Sequence, residues 1–252
     1  MSKNFELMHS VGVETRAKSS VRPRLQVWSA ETNGKKTGHL LPLDDLAQEE
    51  SLKLVQRVFM LQTQGAPRVV VFAGIARGNG CSRICSAAAR TLANNETGFV
   101  CLVDANLRSP SLAESFRIPN HHGLSDSLRE EKPIRTFARQ LGPENLWLIS
   151  SGSSSSESLS LLNSNRVKAR FEEMRAEFDY VLVDAPPLTH YADAITLGRL
   201  SDGLVLILEA NATRREAALA VTDNLRASQI RVLGAVLNKR TFPIPDLLYR
   251  RV

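Results

Sequence analysis

Three segments of the sequence place groups that handle phosphate and divalent metal at the ends of buried apolar runs. The first is Ala73-Gly74-Ile75-Ala76-Arg77-Gly78-Asn79-Gly80-Cys81-Ser82. Its three glycines allow a tight turn that points backbone amides inward, and a helix beginning at its end adds positive potential for a phosphate. A phosphate loop ordinarily closes on Gly-Lys-Ser or Gly-Lys-Thr, with the lysine on the β- and γ-phosphates and the hydroxyl on magnesium. Here Gly80 and Ser82 are present, and Cys81 stands at the lysine position. Glycines between strand and helix also serve a plain tight connection, so the loop alone leaves both uses open.

The second segment is Leu102-Val103-Asp104-Ala105-Asn106-Leu107-Arg108-Ser109-Pro110, and the third is Val181-Leu182-Val183-Asp184-Ala185-Pro186-Pro187. A carboxylate that closes a buried run must be solvated, hydrogen-bonded or metal-linked, because burying it unpaired is costly. Asp104 and Asp184 are therefore candidates to hold magnesium or its water shell, with Ser82 as a third ligand. Either one alone also fits helix capping or turn formation. The pair beside a glycine-rich loop points to metal and phosphate.

These groups act together only if the runs that carry them lie side by side. Short apolar runs at 68–73, 99–104, 146–150, 180–184, 204–209 and 232–238 show no polar alternation, as in strands buried on both faces. Helical patterns separate most of them, notably over 82–93, 166–178 and 213–227. Strands alternating with helices predict an α/β fold: a mainly parallel sheet with helices on both faces. Ligands of such sheets bind beyond the carboxyl ends of the strands, where all three segments end. Upstream, Leu46, Leu52, Val55, Val58 and Phe59 have the spacing of an amphipathic helix over 45–62. Residues 1–43 are polar, basic and non-periodic and read as a flexible arm. The domain then spans 44–240, followed by a short tail over 241–252. A serine-rich patch at 150–156 reads as a loop before a short helix.

Together these residues resemble the bacterial tyrosine autokinases of capsule and exopolysaccharide export, within the wider MinD/ParA-like group of phosphate-loop NTPases. The marks are VDANLRSPSLAESF at 103–116, HGLSDSL at 122–128, FDYVLVDAPPLTHYADAITLGRLSDGLVLILEA at 178–210 and VLGAVLNKR at 232–240. The resemblance implies a phosphate-loop NTPase fold that binds ATP or ADP with Mg2+. It implies phosphate contacts along the loop, Gly78, Asn79, Gly80, Cys81 and Ser82, to which the flanking Arg77 and Arg83 are added as candidates, and magnesium at Ser82, Asp104 and Asp184. Two acidic positions of the second motif match Asp104 and Asn106, the latter where the attacking tyrosine is activated. Asn238 and Lys239 fall where such proteins approach the nucleotide base. The early helix is similar to the segment that packs between subunits in ring-forming members, so a homo-oligomer is implied.

The chain departs from that pattern in three places. Cys81 replaces a cation that stabilises transferring phosphate charge. Asn106 replaces a carboxylate with an amide that takes no proton. The tail carries a single tyrosine, Tyr249, instead of a cluster. Arg77 and Arg83 flank the loop and are the nearby cations; both also suit a solvated surface. Cys81, at a helix N-terminus beside arginines, is expected to have a lowered pKa and some reactivity, while Cys85 one turn later reads as a small buried residue.

Three functions follow as expectations. The first is a weakly active or non-catalytic regulatory subunit, engaging cytosolic segments of a membrane polysaccharide co-polymerase or export protein. The second is an active ATP-dependent protein-tyrosine kinase with a rearranged loop. The third is a MinD/ParA-like positioning ATPase. Ala76, where such ATPases place a second lysine, and a tail without amphipathic character count against the third and against a nucleic-acid partner. The net charge of +6 and pI near 9.5 suit an acidic partner or phosphate ligand, and equally plain solubility. Three cysteines make no disulfide framework and point to a reducing compartment. The first twenty residues lack a signal-peptide core, and no run reaches the roughly 20 apolar residues that span a bilayer. The expected location is the cytoplasm, peripheral to a membrane through a partner.

Overall fold

The computed structural model describes residues 4–9, 43–61, 65–96, 98–141, 145–153, 162 and 164–240. Its sheet has the order β1-β8-β7-β2-β6-β3-β5-β4. The six inner strands are parallel: β2 (Val69–Gly74), β3 (Val100–Asp104), β5 (Leu146–Ile149), β6 (Tyr180–Ala185), β7 (Gly203–Glu209) and β8 (Val232–Arg240). The edges, β1 (Asn4–His9) on β8 and β4 (Ala138–Gln140) on β5, are antiparallel.

The continuous apolar runs are explained by two buried faces. Along β2, Val70 and Phe72 point to one side, where they meet Leu54, Val58, Ala88 and Leu92 of α1 (Leu43–Val55), its continuation, and α2 (Cys81–Asn95). Val71 and Ala73 alternate to the other side, against Phe171 and Met174 of α5 (Asn165–Glu177), Leu197 of α6 (Asp193–Arg199) and Leu225 of α7 (Arg215–Ala227). A strand sandwiched this way has no polar face to show, which is why its sequence does not alternate. Two one-turn helices, α3 (Leu112–Ser115) and α4 (Leu124–Ser127), follow β3.

Several boundaries differ from the sequence reading. The helix expected over 45–62 runs from 43 to 55 and then widens into a π-helical turn, Gln56–Met60, closed by the Leu61 amide on the Gln56 carbonyl at 2.8 Å. The wider turn keeps both Val58 and Phe59 buried, with the Phe59 ring edge-on to Tyr180 at 5.7 Å. Within the arm expected over 1–43, Asn4–His9 pairs as a strand, giving the outer backbone of β8 a partner. Residues 10–42, the helix expected after the serine patch, and the tail with Tyr249 lie outside the described residues. β4 does not show in the sequence because Ala-Arg-Gln carries no apolar run; it pairs antiparallel with β5, and Ala138 packs against the core. Among the described residues, no helix is long and apolar enough to cross a membrane.

Candidate phosphate and metal site

The register of the sheet brings the three segments to one place. Asp104 and Asp184 are Cα partners across β3 and β6, and Asp184 is likewise level with Phe72 of β2. The loop after β2 therefore emerges beside Asp184, with Asp104 one strand further along.

Its shape depends on two left-handed glycines, Gly78 at φ 78° and Gly80 at φ 84°. At Gly80 the chain passes so near β8 that an added Cβ would lie 2.3 Å from Nδ2 of Asn238. Asn238 and Asn79 brace the loop from beneath. The Asn238 amide donates to the Asn79 carbonyl at 2.7 Å, and Asn79 Oδ1 accepts from the Ala76 amide at 2.6 Å. Asn79 Nδ2 reaches Glu209 at 3.1 Å, which also pairs with Lys239 at 2.9 Å. Asn238 and Lys239 thus hold the loop and do not line the cleft above it. No side chain caps α2, leaving its first amides for a ligand or water.

Cys81 opens α2 with its thiol against Asp184. Burial raises its pKa well above the usual thiol value, and Asp184 and Cys85 nearby raise it further. The lowered pKa expected from the helix terminus is therefore corrected: loss of solvation and negative neighbours outweigh the helix dipole. Asp184 is 1% exposed, and neither of its oxygens has a hydrogen-bond partner. Desolvation, then repulsion from Asp104, pushes its pKa up to about 7; the Ser82 hydroxyl and Cys81 thiol moderate the rise. Asp104 is raised to about 6 by burial, moderated by the amides of Leu112 and Ser111, which donate to its Oδ2 at 3.0 and 3.1 Å. Its Oδ1 and the Oδ1 of Asn106 have no partner.

Orphaned buried oxygens on two adjacent strands, facing a serine hydroxyl, fit a magnesium ion. Magnesium keeps several waters and takes one or two carboxylates plus phosphate oxygens, so no dense ligand cluster is required. Ser82, Asp104 and Asp184 would hold it, directly or through water. When bound it would supply positive charge against that of the phosphates.

The cleft over the loop is open and about 1340 Å³ in volume. Arg77, Arg83, Arg90 and Arg108 line it, with Glu49 as the acidic side chain among the described lining residues. Arg77 donates to the Tyr191 hydroxyl, and Arg108 lies 4.2 Å from the centre of the same ring. The Arg108 Nε is anchored 2.8 Å from Asp193, which is 4% exposed. Arg83, in the first turn of α2, is exposed. Arg108, Tyr191 and Asp193 are not among the site residues expected from the sequence. The signal was the Leu-Arg-Ser-Pro phrase directly after the second acidic motif.

No protein-family model matches the chain. YwqD, a tyrosine-protein kinase of Bacillus subtilis strain 168, is 31% identical over 139 residues, 55% of this chain and 59% of YwqD. The tyrosine-protein kinase ptk of Acinetobacter johnsonii is 27% identical over 223 residues, 86% of this chain and 30% of ptk. The relatives of this chain are bacterial tyrosine-protein kinases. It spans under two thirds of the length of these two. Among solved structures, the chimerical protein CapA2B2 has a TM-score of 0.72 at 21% identity, covering 77% of this chain and 85% of its own. The BceF tyrosine kinase domain has a TM-score of 0.66 at 26% identity, covering 75% and 76%. MinD of Pyrococcus horikoshii, solved with Mg-ADP, has a TM-score of 0.58 at 15% identity, covering 67% and 68%. The fold is that of the tyrosine-kinase domains and of the MinD/ParA-like phosphate-loop NTPases.

Proposed function

We propose that the chain is a tyrosine-kinase-like regulatory subunit of capsule or exopolysaccharide biosynthesis that binds nucleotide and transfers phosphate weakly or not at all. The observation that carries this reading is the neutral thiol of Cys81, turned against Asp184 where a phosphate loop places its lysine. Asn106 supports it, since an amide beside the metal site accepts no proton from an incoming tyrosine. Gly78 to Ser82 would surround the phosphates of ATP or ADP, and Ser82, Asp104 and Asp184 would hold Mg2+. Its partners would be the cytosolic segments of a membrane co-polymerase or export protein and further copies of itself, placing it at the inner face of the membrane.

The test is mass spectrometry of the purified full chain after incubation with Mg-ATP. Phosphotyrosine at no more than trace occupancy is expected. Substantial magnesium-dependent phosphorylation, at Tyr249 or elsewhere, would overturn the regulatory reading. It would favour the second one, an active tyrosine kinase, for which the arginines at the cleft mouth are the supporting observation.

A further inference from the structure

We propose that Arg77 and Arg108, held on the ring of Tyr191, form an anion clamp that takes over phosphate recognition from the absent loop lysine. The clamp would grip the terminal phosphate of a nucleoside triphosphate from the mouth of the cleft. It rests on the nucleotide-binding half of the reading above and adds the residues that would recognise the phosphate end.

The geometry comes from three separated segments. Arg77 lies in the loop, Arg108 follows β3, and Tyr191 precedes α6, yet all three line the same cleft as Gly78–Ser82. The Arg77 Nη2 donates to the Tyr191 hydroxyl, with its guanidinium carbon 5.7 Å from the ring centre. The Arg108 guanidinium carbon sits 4.2 Å from that centre. A single tyrosine thus holds both cations, Arg108 at the electron-rich face of the ring and Arg77 at its hydroxyl.

Charge counting says what the pair lacks. Asp193 is the carboxylate paired with Arg108, through its Nε, and the Arg77 contact is with a neutral phenol. Among the described residues, two guanidinium groups beside one carboxylate leave an uncompensated positive charge at the cleft mouth. Among the same residues Arg108 keeps both Nη groups, and Arg77 its remaining donors, for a further acceptor. Planar arginine forks match phosphate oxygens in pairs, which a lysine point charge does not. Inside the loop the opposite holds: Cys81 brings no charge, and Asp184 presents unpartnered oxygens that call for a metal cation. Anion recognition is therefore displaced outward, from position 81 to the rim. A ligand with a third phosphate reaches that rim more fully than one with two.

The experiment is calorimetric titration of Mg-ATP, Mg-ADP and Mg-tripolyphosphate into the wild-type chain and into an Arg77→Ala, Arg108→Lys double variant. Lysine at 108 keeps a cation for Asp193 while removing the fork. The double variant should lose about 10-fold or more in affinity for ATP and tripolyphosphate, with ADP changed by less than about threefold. Cys81→Lys added to the double variant should restore ATP binding, which checks that the loop and cleft survive the two substitutions; the ATP-to-ADP ratio of the double variant itself is what a merely structural role for the arginines would not move. Ligand-free melting should be unchanged; if it falls, the exposed Arg77→Ala single variant decides the matter on the same ATP-to-ADP ratio. Undiminished ATP affinity in the variants overturns the clamp. So does a wild-type chain that binds none of the three ligands, an outcome that leaves its lack of phosphoryl transfer intact.

Discussion

Asp104 and Asp184 stand level on adjacent parallel strands, and three of their four carboxylate oxygens have no hydrogen-bond partner. Such a pair is stable as two charges only when a cation lies between them; otherwise burial and mutual repulsion favour protons. The proposed magnesium ion would relieve that repulsion, and without a cation the pair costs the fold stability.

That cost has a pH dependence of known sign. Both carboxyls have folded pKa values above the unfolded range near 4, about 6 for Asp104 and about 7 for Asp184. The folded state therefore binds more protons, and the associated stability is fully present below pH 4 and lost as pH rises through 6 and 7. In chelator, the contribution of these groups should lower the melting temperature by roughly 5 °C between pH 5.5 and 8. An Asp184→Asn variant should show a flatter profile over that range. Thermal melts of both proteins across the range measure it, and equal slopes would refute the assignment.

Replacing the thiol by the missing cation should restore electrostatics before chemistry. Cys81→Lys puts an ammonium beside Asp184 and should tighten Mg-ATP binding by about 10- to 100-fold. Phosphotyrosine should rise appreciably only when Asn106→Asp is added, because that change supplies the acceptor for the tyrosine proton. Titration calorimetry and phosphopeptide analysis of the single and double variants separate the two effects.

Cys81 should also be a poor nucleophile. With its pKa raised by burial and by its acidic neighbours, little of the thiol ionises at neutral pH. Alkylation by iodoacetamide at pH 7.5 should be at least about 10-fold slower than for a free cysteine, whose pKa is near 8.5. Rapid labelling at Cys81, located by peptide mapping, would contradict the inward orientation of the thiol.

The sequence made the parallel core legible because strands buried on both faces leave continuous apolar runs, as at Val69–Gly74 and Tyr180–Ala185. It also located the two aspartates, since a carboxylate that ends such a run needs an explanation. What it could not reveal were contacts between distant segments. Tyr191 and Arg77 are 114 positions apart, and nothing local in either marks them as partners. Likewise motif order says nothing of the bond that Asn238 makes within the fold, its amide donating to the Asn79 carbonyl under the loop. The sign of the Cys81 shift failed for a related reason: flanking arginines are visible in sequence, but the carboxylate that the fold brings against the thiol is not.

The Asn238 contact makes Gly80 the most demanding position of the loop. A side chain there meets two separate obstacles, a φ of 84° that L residues rarely adopt and Nδ2 of Asn238 at 2.3 Å from the new Cβ. Left-handed strain costs about 1 kcal/mol or more, and moving Asn238 away breaks its 2.7 Å bond to the Asn79 carbonyl, worth about another 1 kcal/mol. Gly80→Ala should therefore destabilise the fold by about 2–3 kcal/mol. Asn238→Ala removes the bond and leaves the backbone relaxed, so its cost should be about 1–2 kcal/mol. Combining the two should cost less than their sum, because Asn238→Ala clears the space that the alanine at 80 needs. Denaturant unfolding of both single variants and the double measures that coupling, and strict additivity would show that Asn238 does not set the shape of the loop.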